Sequence, residues 1–244
     1  MCGDGMTREL VVAQLYPRDM NIYGDNGNVL AVIRRAEKHG LRVRKITVNP
    51  GDKMPTDVDI VIGGGGQDSG QTRVHQDLIV KQAELRDLAE SGTPMLMICG
   101  LYQLFGHWFR THTGEEMAGI SVLDVTTSAE EKRLIGNIVT DSGLFGEIIG
   151  YENHSGQTFL GEKSTPLGRV LVGEGNNAKD DTEGARSHNV IGTYLHGSLL
   201  PKNPAITDFL ISTAAIRRFG EFEPAVIDDG LVERARESAK RRPR

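Results

Sequence analysis

Two residues far apart in the sequence, Cys99 and His196, have types and settings that suit nucleophilic chemistry. Cys99 ends the apolar run 94–98, and Gly100 and a helical pattern follow at once. Such a strand-to-helix turn exposes its residue at the carboxyl end of a sheet, where the free amides of the helix start favour a thiolate. His196 ends the β-rich run 190–195 and could take the thiol proton and return it to a leaving amine. Either residue alone is more simply a buried cysteine or a capping histidine, but the pair predicts a Cys–His site.

A run of four glycines, 63–66, directly follows the apolar stretch 58–62. Without side chains, the backbone amides of such a run can approach a ligand, where they could cradle a phosphate or complete an oxyanion hole. The run lacks the Gly-Lys-Ser/Thr ending of a P-loop and the spacing of a dinucleotide fingerprint. Nucleotide binding is therefore disfavoured.

The elements that must position these residues alternate between strand and helix in the first half of the chain. Strands are predicted at 10–16, 41–48, 58–62 and 94–98, and helices at 29–39, 76–91 and 102–108, the first with Leu30 and Ile33 on its apolar face. The second half predicts strands at 135–139, 148–151, 168–172 and 190–195 and a final helix at 204–219. This order predicts an α/β fold: an open, mostly parallel sheet flanked by helices, in a single domain with a strand-rich second half. The predicted domain spans 6–222, with a flexible leader at 1–5 and a flexible charged tail at 223–244.

The composition excludes several classes of protein. The chain has 244 residues and a net charge of −5, so it has no overall basic footprint for nucleic acid. Its two cysteines, Cys2 and Cys99, form no disulfide framework, which favours a reducing, cytoplasmic setting. No apolar run reaches the length of about 18 residues that a transmembrane helix needs, and no signal peptide is predicted. The histidines show no metal-ligand spacing, so neither a metal nor a cofactor is predicted.

Three motifs together resemble the class I glutamine amidotransferases: Cys99-Gly-Leu-Tyr-Gln103, the glycine run 63–66, and Thr193-Tyr-Leu-His196-Gly. They are most similar to the CobB/CobQ-like branch. The stretches 15–28 and 152–156 further resemble the GatD family, the glutaminase subunits of lipid II isoglutaminyl synthases. The resemblance covers about residues 8 to 215, with the motifs in the family's order.

The resemblance implies a role for each matching residue in the reaction itself. Cys99 would attack the side-chain amide of glutamine, and His196 would shuttle protons. The amides around Gly100 and those of Gly64 and Gly65 would hold the oxyanion.

Two further residues would bind the substrate by the same resemblance, and two positions depart from the family pattern. Gln103 would help to seat the substrate amide, and Arg133 would grip the α-carboxylate through paired hydrogen bonds. Leu101 replaces a common glycine. Ser198 stands where the usual catalytic triad has glutamate, so a Cys–His dyad is the simplest prediction, with a carboxylate from elsewhere or from a partner as the alternative.

Other polar residues receive plainer interpretations. Asp25 and Asn28 are predicted to start a helix as turn and cap residues, with a role at a subunit interface left open. His154 is predicted to be structural. Cys2 follows Met1, as in the N-terminal nucleophiles of class II amidotransferases, but the polar residues after it favour an incidental cysteine.

The resemblance also implies partners. L-glutamine would be the substrate, and the ammonia would pass to a MurT-like synthetase subunit of the Mur-ligase family in a heterodimer. That partner would amidate the D-glutamate α-carboxyl of lipid II in peptidoglycan synthesis, in the cytoplasm, with peripheral contact at the inner face of the membrane left open. The alternatives are an ammonia donor for cobalamin or pyridoxal phosphate synthesis, a catalytically silent binding module, or a hydrolase such as a peptidase.

Overall fold

The computed structural model describes residues 8–66 and 68–242. These residues form two β-sheets with flanking helices. In chain order the elements are β1 (Glu9–Leu15), a 3-10 turn (Ile22–Gly24), α1 (Asn26–Lys38), β2 (Arg42–Val48), β3 (Ile60–Gly63), α2 (Asp68–Val80), α3 (Gln82–Glu90), β4 (Met95–Ile98), α4 (Gly100–Leu104), β5 (Trp108–Arg110), β6 (Glu116–Ala118), β7 (Val125–Ser142), β8 (Gly146–Leu160), β9 (Gly168–Val172), β10 (Thr182–Glu183), β11 (Ala185–Ser187), β12 (Val190–Thr193), α5 (Leu199–Lys202), α6 (Pro204–Phe219) and α7 (Gly230–Lys240).

The first sheet places the carboxyl ends of its central strands at one edge. Its order is β11-β12-β4-β3-β1-β2, and only β11 runs antiparallel to its neighbour. The buried strand β4 lies between β12 and β3, as its wholly apolar sequence predicts. The predicted α/β fold with a mostly parallel sheet is confirmed.

The second sheet forms a wall beside that edge. It has the order β10-β9-β7-β5-β6, with β8 paired to β7 in a long antiparallel hairpin. The β7–β8 register shifts between Ala129 and Leu134, which is a bulge in the stretch that carries Arg133. A single bridge between Tyr151 and His196 links the hairpin to the end of β12.

The first helix begins earlier than predicted and buries a different face. α1 starts at Asn26, and its buried residues include Val29, Val32 and Ala36. Leu30, predicted on the apolar face, is 50% exposed. The prediction was wrong because α1 packs against α5, α6 and β2 through the stripe that Val29, Val32 and Ala36 form.

Two other helix predictions need correction. The helix predicted at 76–91 is two helices, α2 and α3, which break at Lys81, where the ammonium is buried against Asp77 at 2.5 Å. The helix predicted at 102–108 is the short α4, and Trp108 already belongs to β5. That helix cannot continue, because the His107 amide donates to Val125 O and so joins the second sheet. α6 has the predicted bounds, 204–219.

Part of the tail that was predicted to be flexible, residues 230–240, is helical in the structure. These residues form α7, and Arg236 fastens it by donating to Lys202 O, Asn203 Oδ1 and Glu147 O at 2.6 to 3.0 Å. The predicted leader, 1–5, lies outside the described residues, as does Cys2. Within the described part of the chain, no helix combines the length and apolar character needed to cross a bilayer.

Candidate active site

Cys99 occupies the sharp turn between β4 and α4. Its backbone has φ 49° and ψ −102°, a conformation that residues other than glycine rarely adopt. The Gln103 amide donates to Cys99 O at 3.0 Å, so the helix begins immediately after the cysteine. Such local strain persists where the surrounding structure imposes it, and here it directs the thiol to the edge of the sheet.

The glycine run 63–66 lies directly beside the cysteine, where no side chain fits. A Cβ built on any of its four residues would come within 2.8 Å of a neighbouring atom. At Gly65 these neighbours are His196 Cε1 at 2.8 Å and Cys99 Cβ at 3.0 Å. The backbone of Gly65 therefore lies against both residues, and the structure brings Cys99 and His196 together as their positions at neighbouring strand ends predict.

Packing and one backbone bond hold His196 in place. It is fully buried, and its amide donates to Tyr151 O at 2.7 Å. The edge of its ring meets Tyr23 with the ring centroids 5.0 Å apart and the planes at 72°. Among the described residues, neither ring nitrogen has a hydrogen-bond partner. The imidazole orientation therefore depends on the groups that surround it.

Asp25 supplies the carboxylate that the sequence left unassigned. Its Oδ1 lies 3.7 Å from His196 Nδ1, an ion-pair distance that is too long for a hydrogen bond. Its Oδ2 accepts the Gly65 amide at 2.7 Å, and the residue is only 2% exposed. Asp25 does stand at the N-cap position of α1, but its side chain makes no cap hydrogen bond, so its interpretation as a cap was wrong. The one available signal was an acidic residue in the loop after β1, a strand predicted in the same sheet as the nucleophile.

Asn28, the second predicted cap residue, connects two helices. It is fully buried inside α1, and its Oδ1 accepts the Leu200 amide at 2.9 Å. It therefore ties α1 to α5, the short helix that follows His196 and Ser198.

Ser198 braces the turn that carries Asp25. It has a left-handed backbone, with φ 49°, and its hydroxyl donates to Gly24 O at 2.8 Å. A Cβ at Gly27 would lie 2.1 Å from Ser198 Oγ, so the start of α1 fits closely over this residue. The serine in place of the usual glutamate thus anchors the loop from which the replacement carboxylate comes.

The electrostatics favour a charged histidine. Burial by itself would lower the pKa of His196, but the negative charges of Cys99 and Asp25 outweigh it and raise this pKa to about 10. The imidazole is then protonated at neutral pH.

A cleft of about 520 Å³ opens above the cysteine. Its walls include Cys99, Gln103, Arg133, Asn153 and His154. The structure thus gathers Cys99 and both predicted substrate-binding side chains around one space that is large enough for an amino acid.

The two predicted substrate-binding side chains differ in their freedom. Gln103 is buried, and both ends of its amide are used, because Oε1 accepts from Gln71 at 2.6 Å and Nε2 donates to Tyr194 at 3.1 Å. It therefore forms a fixed wall of the cleft. Arg133 is exposed, and its Nε donates to Asn153 Oδ1 at 2.7 Å.

The backbone amides predicted to bind the oxyanion differ in whether they are available to a ligand. The Gly65 amide donates to Asp25 Oδ2 and is not available to a ligand in this conformation. Gly64 is buried under the loop after β1, with a built Cβ 2.3 Å from Met20 O. Gly100 begins α4, and the first amides of a helix have no partner within it.

His154 lines the cleft but has the contacts of a structural residue. Its ring stacks on Tyr194 with centroids 3.5 Å apart, and its Nδ1 lies 2.6 Å from Gly156 O. Burial lowers the pKa of His154 to about 3, so the ring is neutral. Across residues 8–66 and 68–242, no three His, Cys, Asp or Glu side chains are grouped to hold a metal ion, and the expected absence of a metal stays a prediction.

Comparison with known sequences relates this site to one family. The model of the CobB/CobQ-like glutamine amidotransferase domain matches residues 11–204. A lipid II isoglutaminyl synthase (glutamine-hydrolyzing) subunit GatD from Staphylococcus aureus is 38% identical, over 96% of this chain and 99% of its own length. The subunit of the same name from Streptococcus pneumoniae is 36% identical over 87% of this chain and 83% of its own length. A cobyric acid synthase from Pelotomaculum thermopropionicum is 32% identical, and the match spans 37% of its length.

Solved structures share the fold at low sequence identity. One glutamine amidotransferase superposes with a TM-score of 0.59 at 14% identity, covering 83% of this chain and 98% of that chain. A glutamine amidotransferase from Thermotoga maritima has a TM-score of 0.53 at 15% identity and covers 95% and 93%. These likenesses show the fold.

Proposed function

Because this chain belongs to the CobB/CobQ-like glutamine amidotransferases, we propose that it hydrolyses L-glutamine at Cys99 and delivers the ammonia to a synthetase partner. The observation that carries this proposal is the grouping of Cys99, His196 and Asp25 around the Gly65 backbone, at the base of an open cleft. A catalytically silent module would have no need for a buried carboxylate behind the histidine.

The reaction follows from the charges at rest. The Cys99 thiolate attacks the side-chain carbonyl carbon of glutamine, and the carbonyl oxygen becomes an oxyanion. His196 gives its proton to the amide nitrogen, the C–N bond breaks, and ammonia leaves a γ-glutamyl thioester. A water molecule then attacks the thioester while His196 takes one of its protons. The C–S bond breaks, glutamate leaves, and the thiolate–imidazolium pair returns.

The residues around the pair take three further roles in this proposal. Asp25 stabilises the imidazolium and fixes the ring, as the third member of such triads does. The Gly100 amide, at the start of α4, donates to the oxyanion. Gly64 and Gly65 stay predictions for that role, and Gly65 would first have to exchange its bond to Asp25. Arg133, on the cleft wall, binds the α-carboxylate.

The identity of the acceptor rests on the relatives. Two proteins named as glutamine-hydrolyzing subunits of lipid II isoglutaminyl synthase match most of this chain at higher identity than the cobyric acid synthase does. The partner is accordingly a MurT-like synthetase of the Mur-ligase family. It activates the D-glutamate α-carboxyl of lipid II, and the pair works at the cytoplasmic face of the membrane.

The direct test is a glutaminase assay on the chain alone and after co-purification with a Mur-ligase-like partner from the same organism. Glutamine-dependent ammonia release should disappear in the C99A variant, and diazo-oxo-norleucine should label Cys99 in the unmodified chain. The complex should amidate lipid II with glutamine, and the complex containing C99A should do so only with added ammonium. Glutamine hydrolysis that survives in C99A would overturn the assignment of the nucleophile, and transfer to a different acceptor would overturn that of the pathway.

A further inference from the structure

Three side chains from three segments join across the mouth of the cleft: Arg133 of β7, Asn153 of β8 and Tyr23 of the 3-10 turn. Arg133 Nε donates to Asn153 Oδ1 at 2.7 Å, and Asn153 Nδ2 donates to the Tyr23 hydroxyl at 2.7 Å. All three line the cleft that holds Cys99. We call this connected group the clasp.

The bonds of the clasp fix the asparagine amide in one orientation. Arg133 Nε can only donate, so the amide oxygen must face it and the amide nitrogen must face Tyr23. With Nε engaged, the two Nη groups of Arg133 remain for a carboxylate. Within the described part of the chain neither Nη group makes a hydrogen bond or ion pair. The positive charge of Arg133 also contributes to the lowered pKa of the buried His154, which places that charge close to the inner wall of the cleft.

At the inner end of the clasp, Tyr23 contacts His196, the proposed general base. Tyr23 has φ 58°, a strained conformation for a residue other than glycine, and it is 44% exposed at the mouth of the cleft. Its ring is the aromatic group whose contact defines one side of the His196 imidazole. Because His196 has no hydrogen bond on either ring nitrogen among the described residues, the contact with the Tyr23 ring is one of the contacts that set the orientation of the imidazole.

We propose that Tyr23 and Asn153 are positioning residues that make the α-carboxylate of the substrate a condition for fast hydrolysis. A carboxylate on the Nη groups of Arg133 immobilises the guanidinium, which tightens its bond to Asn153, and Asn153 in turn holds Tyr23 against His196. The clasp therefore determines specificity for amides that carry an α-carboxylate. It rests on the proposed role of Arg133 in binding that carboxylate.

The test compares glutamine with an analogue in which a neutral carboxamide replaces the α-carboxylate. Y23F keeps the ring on His196 and removes the bond to Asn153, and N153A removes both bonds of the asparagine. Each variant should raise KM for glutamine and lower kcat/KM about tenfold, the loss expected from one hydrogen bond, with little change for the analogue, because the connection matters only where a carboxylate occupies Arg133. The double variant should be no worse than either single variant, because both break one connection.

Two further variants separate positioning from general damage. Y23A also removes the ring, so it should lower kcat and move the basic limb of the pH profile. K132A is the matched control: Lys132 is the neighbour of Arg133 on β7, its exposed ammonium lies 3.8 Å from Glu174 and it does not line the cleft, so this variant should leave both substrates unaffected.

A measurement on Cys99 itself covers the case in which turnover is slow. The rate of Cys99 labelling by diazo-oxo-norleucine, which carries an α-carboxylate, should fall about tenfold in Y23F and N153A. Labelling by iodoacetamide, which has none, should not change.

The outcomes distinguish this inference from the proposed function. If R133A lowers the preference for glutamine over the neutral analogue while Y23F and N153A leave it unchanged, the clasp is refuted and the substrate site stands. An unchanged preference in R133A refutes both. Equal losses for both substrates in Y23F and N153A, or losses that multiply in the double variant, would show a merely structural role.

Discussion

Replacing Asp25 with asparagine removes one charge from the site and leaves its shape nearly intact. The asparagine oxygen can still accept the Gly65 amide, which Asp25 Oδ2 accepts at 2.7 Å. The loss is the negative charge at 3.7 Å from His196 Nδ1. At an effective dielectric constant of about 20, two unit charges at that distance attract by ~4.5 kcal/mol. Since each 1.4 kcal/mol is a factor of ten, the full interaction corresponds to roughly a thousandfold.

We therefore expect D25N to lower the kcat of glutamine hydrolysis by about a hundredfold to a thousandfold, the lower value applying if solvent replaces part of the lost charge. The pH profile should change as well. The pKa of His196, raised to about 10, keeps the imidazolium available as an acid until the pH passes that value. Without Asp25 this pKa falls, so the basic limb of the kcat/KM profile should move to lower pH.

The assay is initial-rate ammonia release across the pH range, together with the rate of Cys99 alkylation by iodoacetamide as a measure of the thiolate. D19N is the matched control, because Asp19 lies in the same loop, does not line the cleft and pairs with the exposed Arg73 at 2.9 Å. D25N activity within threefold of the unmodified protein, with an unmoved basic limb, would refute the assignment of Asp25 as the partner of His196.

Three other substitutions test the structure around the site. G65A introduces a Cβ 2.8 Å from His196 Cε1 and 3.0 Å from Cys99 Cβ, so glutaminase activity should fall at least about tenfold while circular dichroism shows a retained fold; full activity would contradict the packing. Burial raises the pKa of Glu183 to about 8, so its stabilising contribution is complete below the unfolded value of 4.5 and is lost as the pH rises through 8. E183Q cannot ionise, so the fall in Tm between about pH 6 and about pH 9 should be smaller than in the unmodified protein, and an equal fall would refute the titration of Glu183. R236A removes the bonds that hold α7, so the free energy of unfolding should fall by about 1–3 kcal/mol at unchanged glutaminase activity; an unchanged value would show that α7 is not held by Arg236.

The parts of the fold that the sequence predicted correctly depend on local patterns. The four apolar residues of β4, the cysteine after them and the helix start are consecutive, so the strand, the turn and the position of Cys99 can be predicted together. The second half of the pair, His196, likewise ends the apolar strand β12, which lies beside β4. Because parallel neighbours end at the same edge, their contact follows from two local patterns and one rule of topology.

The parts that were missed depend on contacts between distant segments. Asp25 in a Gly-Asp-Asn turn has a complete local explanation as a cap, and only the folded chain shows that its carboxylate reaches a histidine far along the sequence. α7 has no buried residue and is held through Arg236. Its apolar pattern therefore does not predict that this segment packs against the rest of the protein. Leu30 has the right type for a core position, but the neighbours of α1 select another stripe.

The order of the first sheet explains how a carboxylate from the loop after β1 can replace one that follows the histidine. His196, Cys99, the glycine run and Asp25 follow β12, β4, β3 and β1, which are four consecutive strands of that sheet. Ser198 is coupled to this arrangement. Its hydroxyl donates to Gly24 O at 2.8 Å, in the residue before Asp25, and only a glycine fits at position 27, because a Cβ there would lie 2.1 Å from Ser198 Oγ. The serine two residues after the histidine therefore supports the loop that brings the carboxylate of Asp25 to His196.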